Sequence, residues 1–186
     1  NPNVVDSNGE SPVMKAAHNG NSEVLELLLQ NPKTRLNLRS NDGLTELGHA
    51  ITQILEVTEF EWPNSQQIIG MLMERGCDPT ITNSKGTPPL VAAAYYNEPE
   101  AAAALLKSTK IKVDQTNAAG DAAIHWAVRT MSLPMLNLLL DNHADGDLVG
   151  AYSVSPLMLA VHNGAIMKGY DDIIDLLLAR VPHIQI

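Results

Sequence analysis

S-P-V-M-K-A-A-H-N-G-N-S-E-V-L-E-L-L-L, residues 11–29, decides the fold. The stretch holds two short helical patterns separated by a tight turn. Ser11 offers a hydroxyl to cap the first helix, and Pro12 follows where a missing N–H costs nothing. Val13, Ala16 and Ala17 put a small apolar stripe on one face, and Asn19-Gly20 ends that helix with a pair that tolerates positive φ. Val24, Leu25, Leu27, Leu28 and Leu29 give the second helix a greasier face. Neither helix reaches the roughly 12–15 residues that an isolated helix needs in water. Such a unit persists only by stacking on others of its kind, which predicts copies along the chain.

The copies are present. The first-helix apolar position recurs at Val13, Leu47, Leu90, Ile124 and Leu157, in steps of 34, 43, 34 and 33 residues. A small residue three places on recurs with it as Ala16, Ala50, Ala93, Ala127 and Ala160. The second-helix apolar position is read at Leu27, Met71, Leu105, Leu138 and Leu176. A glycine precedes the first helix as Gly9, Gly43, Gly86 and Gly120, with Ser153 in the fifth copy.

These units resemble ankyrin repeats, whose pattern runs roughly D-x-x-G-x-T-P-L-H-x-A-A-x-x-G, an apolar helix, then G-A-D-V-N. The matching text is D-S-N-G-E-S-P-V-M-K-A-A-H-N-G from Asp6, N-D-G-L-T-E-L-G-H-A from Asn41 and S-K-G-T-P-P-L-V-A-A-A from Ser84. A-A-G-D-A-A-I-H-W-A from Ala118 and V-S-P-L-M-L-A-V-H-N-G from Val154 complete the set. The resemblance covers essentially the whole chain. It implies an all-α solenoid of stacked helix-turn-helix units, with β-hairpin or loop fingers on one edge and a concave protein-binding face. The expected organisation is a single domain over 1–186, with repeats near 6–38, 39–81, 82–114, 115–148 and 149–186.

The departures carry expectations of their own. The second unit has ten extra residues near 56–65, and the fifth has five around Met167–Tyr170. In the fourth, Ala122-Ala123 replaces the capping residue and proline, a loss of about 1 kcal/mol unless Asp121 substitutes. The fifth lacks the finger glycine, so L-V-G-A-Y-S turns differently. Both ends break within the pattern and the chain does not start with Met, so the parent protein is expected to continue in at least one direction.

Composition narrows the function. A net charge of −9 and a pI near 5.0 argue against a phosphate backbone as partner, which needs clustered Lys and Arg. A partner with a basic or neutral surface suits the charge better. The lone Cys77 can form no internal disulfide and favours a reducing compartment, cytoplasmic or nuclear. It reads as a buried, inert thiol. No apolar run approaches the 18 or more residues of a membrane span. No His pair has the i, i+4 spacing of a helical metal site, the glycines are turn punctuation, and no nucleophile-base order stands out. No enzyme activity, cofactor or metal is expected. His125 occupies the family's motif histidine, which implies a backbone bond between units.

The candidate contact residues come from positions that the family uses for contact. Tyr95, Tyr96, Arg129 and Tyr152 stand out, because Tyr and Arg give large contact area with a polar handle. Lys85 and Asp42 sit at finger tips, and Thr52 and Gln53 follow the second unit's first helix. Phe60 and Trp62 lie among acidic residues in the insertion, either facing a basic groove on a partner or folded over their own unit. Trp126 is read chiefly as packing between first helices. The expected function is non-catalytic, monomeric protein–protein recognition within a larger protein. The rivals are a regulatory or substrate-recruiting part of an enzyme, a microbial host-directed effector, and an acidic mimic of nucleic acid.

Overall fold

The computed structural model describes residues 1–52 and 65–181. They form helix pairs in strict succession: α1 (Pro12–His18) with α2 (Ser22–Gln30), α3 (Glu46–Thr52) with α4 (Ser65–Glu74), and α5 (Pro89–Tyr95) with α6 (Pro99–Leu106). Then come α7 (Ala123–Arg129) with α8 (Leu133–Asp141), and α9 (Pro156–Gly164) with α10 (Asp171–Arg180). The first helices pack in the order α1, α3, α5, α7, α9, and the second helices stack beside them in the same order. The main helix contacts thus lie within a pair or between consecutive pairs, as the repeat spacing requires. The ten-residue insertion near 56–65 falls almost wholly outside the described residues.

Local chemistry explains why seven residues suffice for a helix here. The Ser11 hydroxyl accepts from the Met14 N–H at 3.2 Å, and Ser155 does the same for Met158 at 3.3 Å. The chain then reverses through a residue of positive φ, namely Gly20, Asn97 or Met131. In each case the next N–H donates back to the repeated small residue: Asn21 to the Ala16 carbonyl, Glu98 to Ala93 and Ser132 to Ala127, at 2.8–3.0 Å. This six-residue closure satisfies carbonyls that a helix end otherwise leaves to water.

One continuous core runs the length of the stack. Val13, Leu47, Leu90 and Ile124 are buried as expected and Leu157 is half-buried, while all five repeated alanines are buried. The second-helix position needs correction. Leu27 is exposed, and Met71, Leu138 and Leu176 are only half-buried, whereas Leu72, Leu139 and Leu177 are fully buried. In the second, fourth and fifth units the inward position lies one residue later, in the first the buried leucines are Leu25 and Leu29, and Leu105 of the third is buried as expected. Runs such as L-L-L carry no phase, so only the preceding turn sets which leucine faces in.

No strand occurs among the described residues, and the fingers are loops. Each closes with an N–H donating to the carbonyl four residues on: Asp6 to Glu10, Ser40 to Leu44, Asn83 to Thr87 and Asn117 to Asp121. The leading side chain locks the tip from inside, since Asn83 Oδ1 accepts from both Lys85 and Thr87 and Asn117 Oδ1 from both Ala119 and Asp121. The fifth finger does turn differently. It forms a short 3-10 turn at Ala151–Ser153, with Tyr152 and Ser153 both at φ 58.

Fingers also lean on one another. Asn41 N–H donates to the Asn8 carbonyl and Ser84 N–H to the Asp42 carbonyl. That approach leaves no room for a side chain at Gly43, where φ is +73 and an added Cβ would lie 2.5 Å from the Ser84 nitrogen. Gly76 has a comparable φ of +91 but open space around it. Gly76→Ala is expected to cost about 1–2 kcal/mol for its conformation alone, and Gly43→Ala distinctly more because the third finger must also shift. Urea melts of the two variants check this; equal losses would contradict the finger contact.

Candidate functional site

The fourth unit supplies the frame. Ala122 provides no capping oxygen, and Asp121 does not take that role. Instead His125 Nδ1 accepts the Ala122 N–H at 3.1 Å, which leaves the proton on Nε2 to donate to the Leu148 carbonyl at 2.9 Å. The motif histidine therefore does bond backbone, but at the two ends of its own unit, Ala122 and Leu148, with no bond of its own to the fifth. Gly150 passes so close that a Cβ there would lie 2.5 Å from His125 Nε2. Asp121, itself buried, accepts the Ala151 N–H at 3.1 Å and pairs with Arg129 Nη1 at 2.8 Å. The missing N-cap is thus offset by a network that ties α7 to the fifth finger.

Arg129 is held by that pair with its guanidinium 4.7 Å above the Trp126 ring, one turn back on α7. Trp126 meets Tyr95 edge-on at 4.7 Å, and Tyr95 meets Tyr96 edge-on at 4.8 Å. Perpendicular rings at these distances place positive edges against negative faces. Tyr95 is half exposed, while Tyr96 and Trp126 are partly buried against the core. Burial pushes the Tyr96 phenol up, and the neighbouring Tyr95 adds to it.

These rings form one wall of a groove of about 500 Å³ across the second, third and fourth units. Asp42 and Lys85 line it from the finger tips, and Thr52 closes it from the end of α3. Five of the sequence-predicted residues, Asp42, Thr52, Lys85, Tyr95 and Tyr96, therefore meet at one site. Arg129 props the wall from behind, and Tyr152 stands apart on the fifth finger, 98% exposed. Gln53, Phe60 and Trp62 lie outside the described residues.

Trp126 packs between first helices as expected, on Tyr95 and against the core, and it also lines the groove. Its signal is positional: Trp126 follows Tyr95 by 31 residues, as His49 follows His18, and those two imidazoles also meet edge-on, at 6.0 Å. The position after the motif histidine thus reaches back to the end of the preceding first helix. Among the described residues, no group of three His, Cys, Asp or Glu side chains is placed to hold a metal ion. Cys77 is buried, and that burial pushes its thiol well above the usual range. No described helix is long and apolar enough to cross a membrane.

The ankyrin repeat family matches residues 8–41 as one repeat and residues 61–149 as three consecutive copies. The chain belongs to the ankyrin repeat family. Among solved structures, the ankyrin repeat domain of Bcl-3, a member of the IkappaB protein family, is 26% identical with a TM-score of 0.78. That likeness covers 94% of this chain and 73% of the other. Human transient receptor potential cation channel subfamily A member 1 is 26% identical over 156 residues. Alpha-latrotoxin-Lg1a from Latrodectus geometricus is 27% identical over 124. The matches take in 80% and 66% of this ankyrin repeat chain but only 13% and 8% of those much longer proteins.

Burial lowers the basicity of His125, with Asp121 opposing the effect. The folded chain therefore holds the His125 proton less tightly than the unfolded chain does. The stability from its two bonds is fully present above the ordinary histidine value of about 6.5 and is lost as pH falls through the lower folded-state value. His125→Ala is expected to cost about 1–3 kcal/mol at pH 7.5, and less at pH 5. Urea melts at both pH values test this, and a gap independent of pH would contradict the assigned tautomer.

Proposed function

We propose that this ankyrin repeat chain is a non-catalytic docking module that binds a partner protein across the groove of its second to fourth units. Ankyrin repeat domains generally act by binding other proteins. The observation that carries the reading here is the Tyr95–Tyr96–Trp126 wall, fixed in place by Arg129 and Asp121 beside a groove that offers both Asp42 and Lys85. Aromatic side chains held before binding lose little entropy on contact, which is where rigid recognition gains affinity.

In this reading residues 1–186 form a single monomeric domain of five repeats with the boundaries given above. Tyr95, Tyr96, Lys85, Asp42, Thr52 and Trp126 make contact, Arg129 positions the wall, and Tyr152 offers a second, separate contact. Gln53, Phe60 and Trp62 are further contact residues in this reading. The net charge of −9 favours a partner with a basic surface, in the cytoplasm or nucleus. The small share of its long relatives that the chain spans supports a place within a larger protein, where docking regulates or recruits for a neighbouring domain.

Tyr95→Ala with Lys85→Ala removes two edge-on ring contacts and an exposed lysine, and is expected to lower the melting temperature by only about 2–6 °C while the chain stays folded. Capture of the partner from a lysate of the source cells should fall by about tenfold or more. Equal recovery of every captured protein by wild type and variant would contradict the groove as the binding site.

A further inference from the structure

The five first helices can be superposed position by position, and one of them breaks the burial pattern. Val161 of α9 corresponds to Ala17, Ile51, Ala94 and Val128, each 0% exposed, yet Val161 is 54% exposed. Met158 corresponds to Met14, Gly48, Val91 and His125, all buried, yet Met158 is 60% exposed. In the four preceding units the next first helix packs against that side: α3 on α1, α5 on α3, α7 on α5 and α9 on α7. On α10, Leu178 is 50% exposed where Leu29 is buried and Met73 and Leu140 are half-buried. The exposed side of α9 and α10 is thus the direct continuation of an interface already formed four times.

The opposite end is built differently. Lys15 stands at the position through which His49 and Trp126 touch the preceding unit, and it is paired with Asp6 and Glu10 of its own finger. Val24 of α2 is exposed there, but α1 turns a charge outward. A neighbour on the α1 side would strip water from an ion-paired ammonium, whereas a neighbour on the α9 side covers only carbon and sulfur at Met158 and Val161.

We propose that the Met158–Val161 face is a docking face for one more helix pair of the same build, contributed by the parent chain beyond Val181. The occupant's first helix lies on α9 as α9 lies on α7, and its second helix covers Leu178. Its residue two places past the first apolar position meets His162, as Trp126 meets Tyr95. The sequence at 183–186, H-I-Q-I, repeats the polar-apolar alternation of R-L-N-L at 35–38, the approach to the second finger.

The test compares Met158→Lys/Val161→Lys in two settings, the 186-residue chain and the full parent protein. In the 186-residue chain both side chains are exposed, so the melting temperature should move by no more than about 2 °C. In the parent, hydrogen exchange of the helices following Val181 should speed up at least tenfold, and the thermal transition should split. Val128→Lys, at a buried counterpart, should lower the melting temperature in both settings and so confirms that the assay responds. Unchanged exchange in the parent, or a parent with no helix pair after Val181, would overturn the proposal. So would a dimer of the 186-residue chain that the double variant dissociates, because the face would then seat a second copy.

Discussion

A seven-residue helix cannot hold itself together in water, because nucleation fixes several residues for each hydrogen bond formed. α1, α3, α5 and α7 are all of that length, so each depends on the helices packed against it to bury its alanine. This single requirement explains the composition. Aromatic residues are only 4% of the chain, and the small residues at 16, 50, 93, 127 and 160 let backbones approach closely enough for the whole stack to share one core.

The same dependence shapes the surface. Because the first helices lie side by side, the residue ending one helix meets the residue two past the apolar position of the next. That register produces the His18–His49 contact at one step and the Tyr95–Trp126 contact at another. A binding wall therefore arises from packing between units, not from any one unit. Its rigidity comes from the buried Asp121, which joins Arg129 to the backbone of the following finger.

What could be read from the residues, and what could not, follows from how local each determinant is. The Ser11 cap, the Pro12 start, the Ala-centred stripe and the differing fifth finger depend on chemistry within a few residues, and the sequence displays them directly. The inward position of the second helices is legible at Leu105 but lies one residue past the expected Met71, Leu138 and Leu176, because consecutive leucines look alike until the turn before them is known. The replacement of a missing cap by His125 depends on Leu148 at the far end of its unit, and the turning of Trp126 into the groove on Tyr95 of the preceding one. Of the predicted contact residues, the five that met in one groove sit at repeat-equivalent positions, which periodicity aligns. Tyr152 lies on the finger whose turn departs from the others, and it does not join them.

Stacking as the sole source of shape is tested most directly at Ala93, buried in α5 between α3 and α7. Ala93→Leu adds three carbons where two backbones meet, an overpacking that costs about 1–3 kcal/mol. Equilibrium urea unfolding of this variant, followed by hydrogen exchange on each helix, should resolve two transitions, with the helices before and after α5 opening separately. A single cooperative transition at the wild-type midpoint, with uniform exchange along the chain, would contradict nearest-neighbour stacking as the basis of the fold.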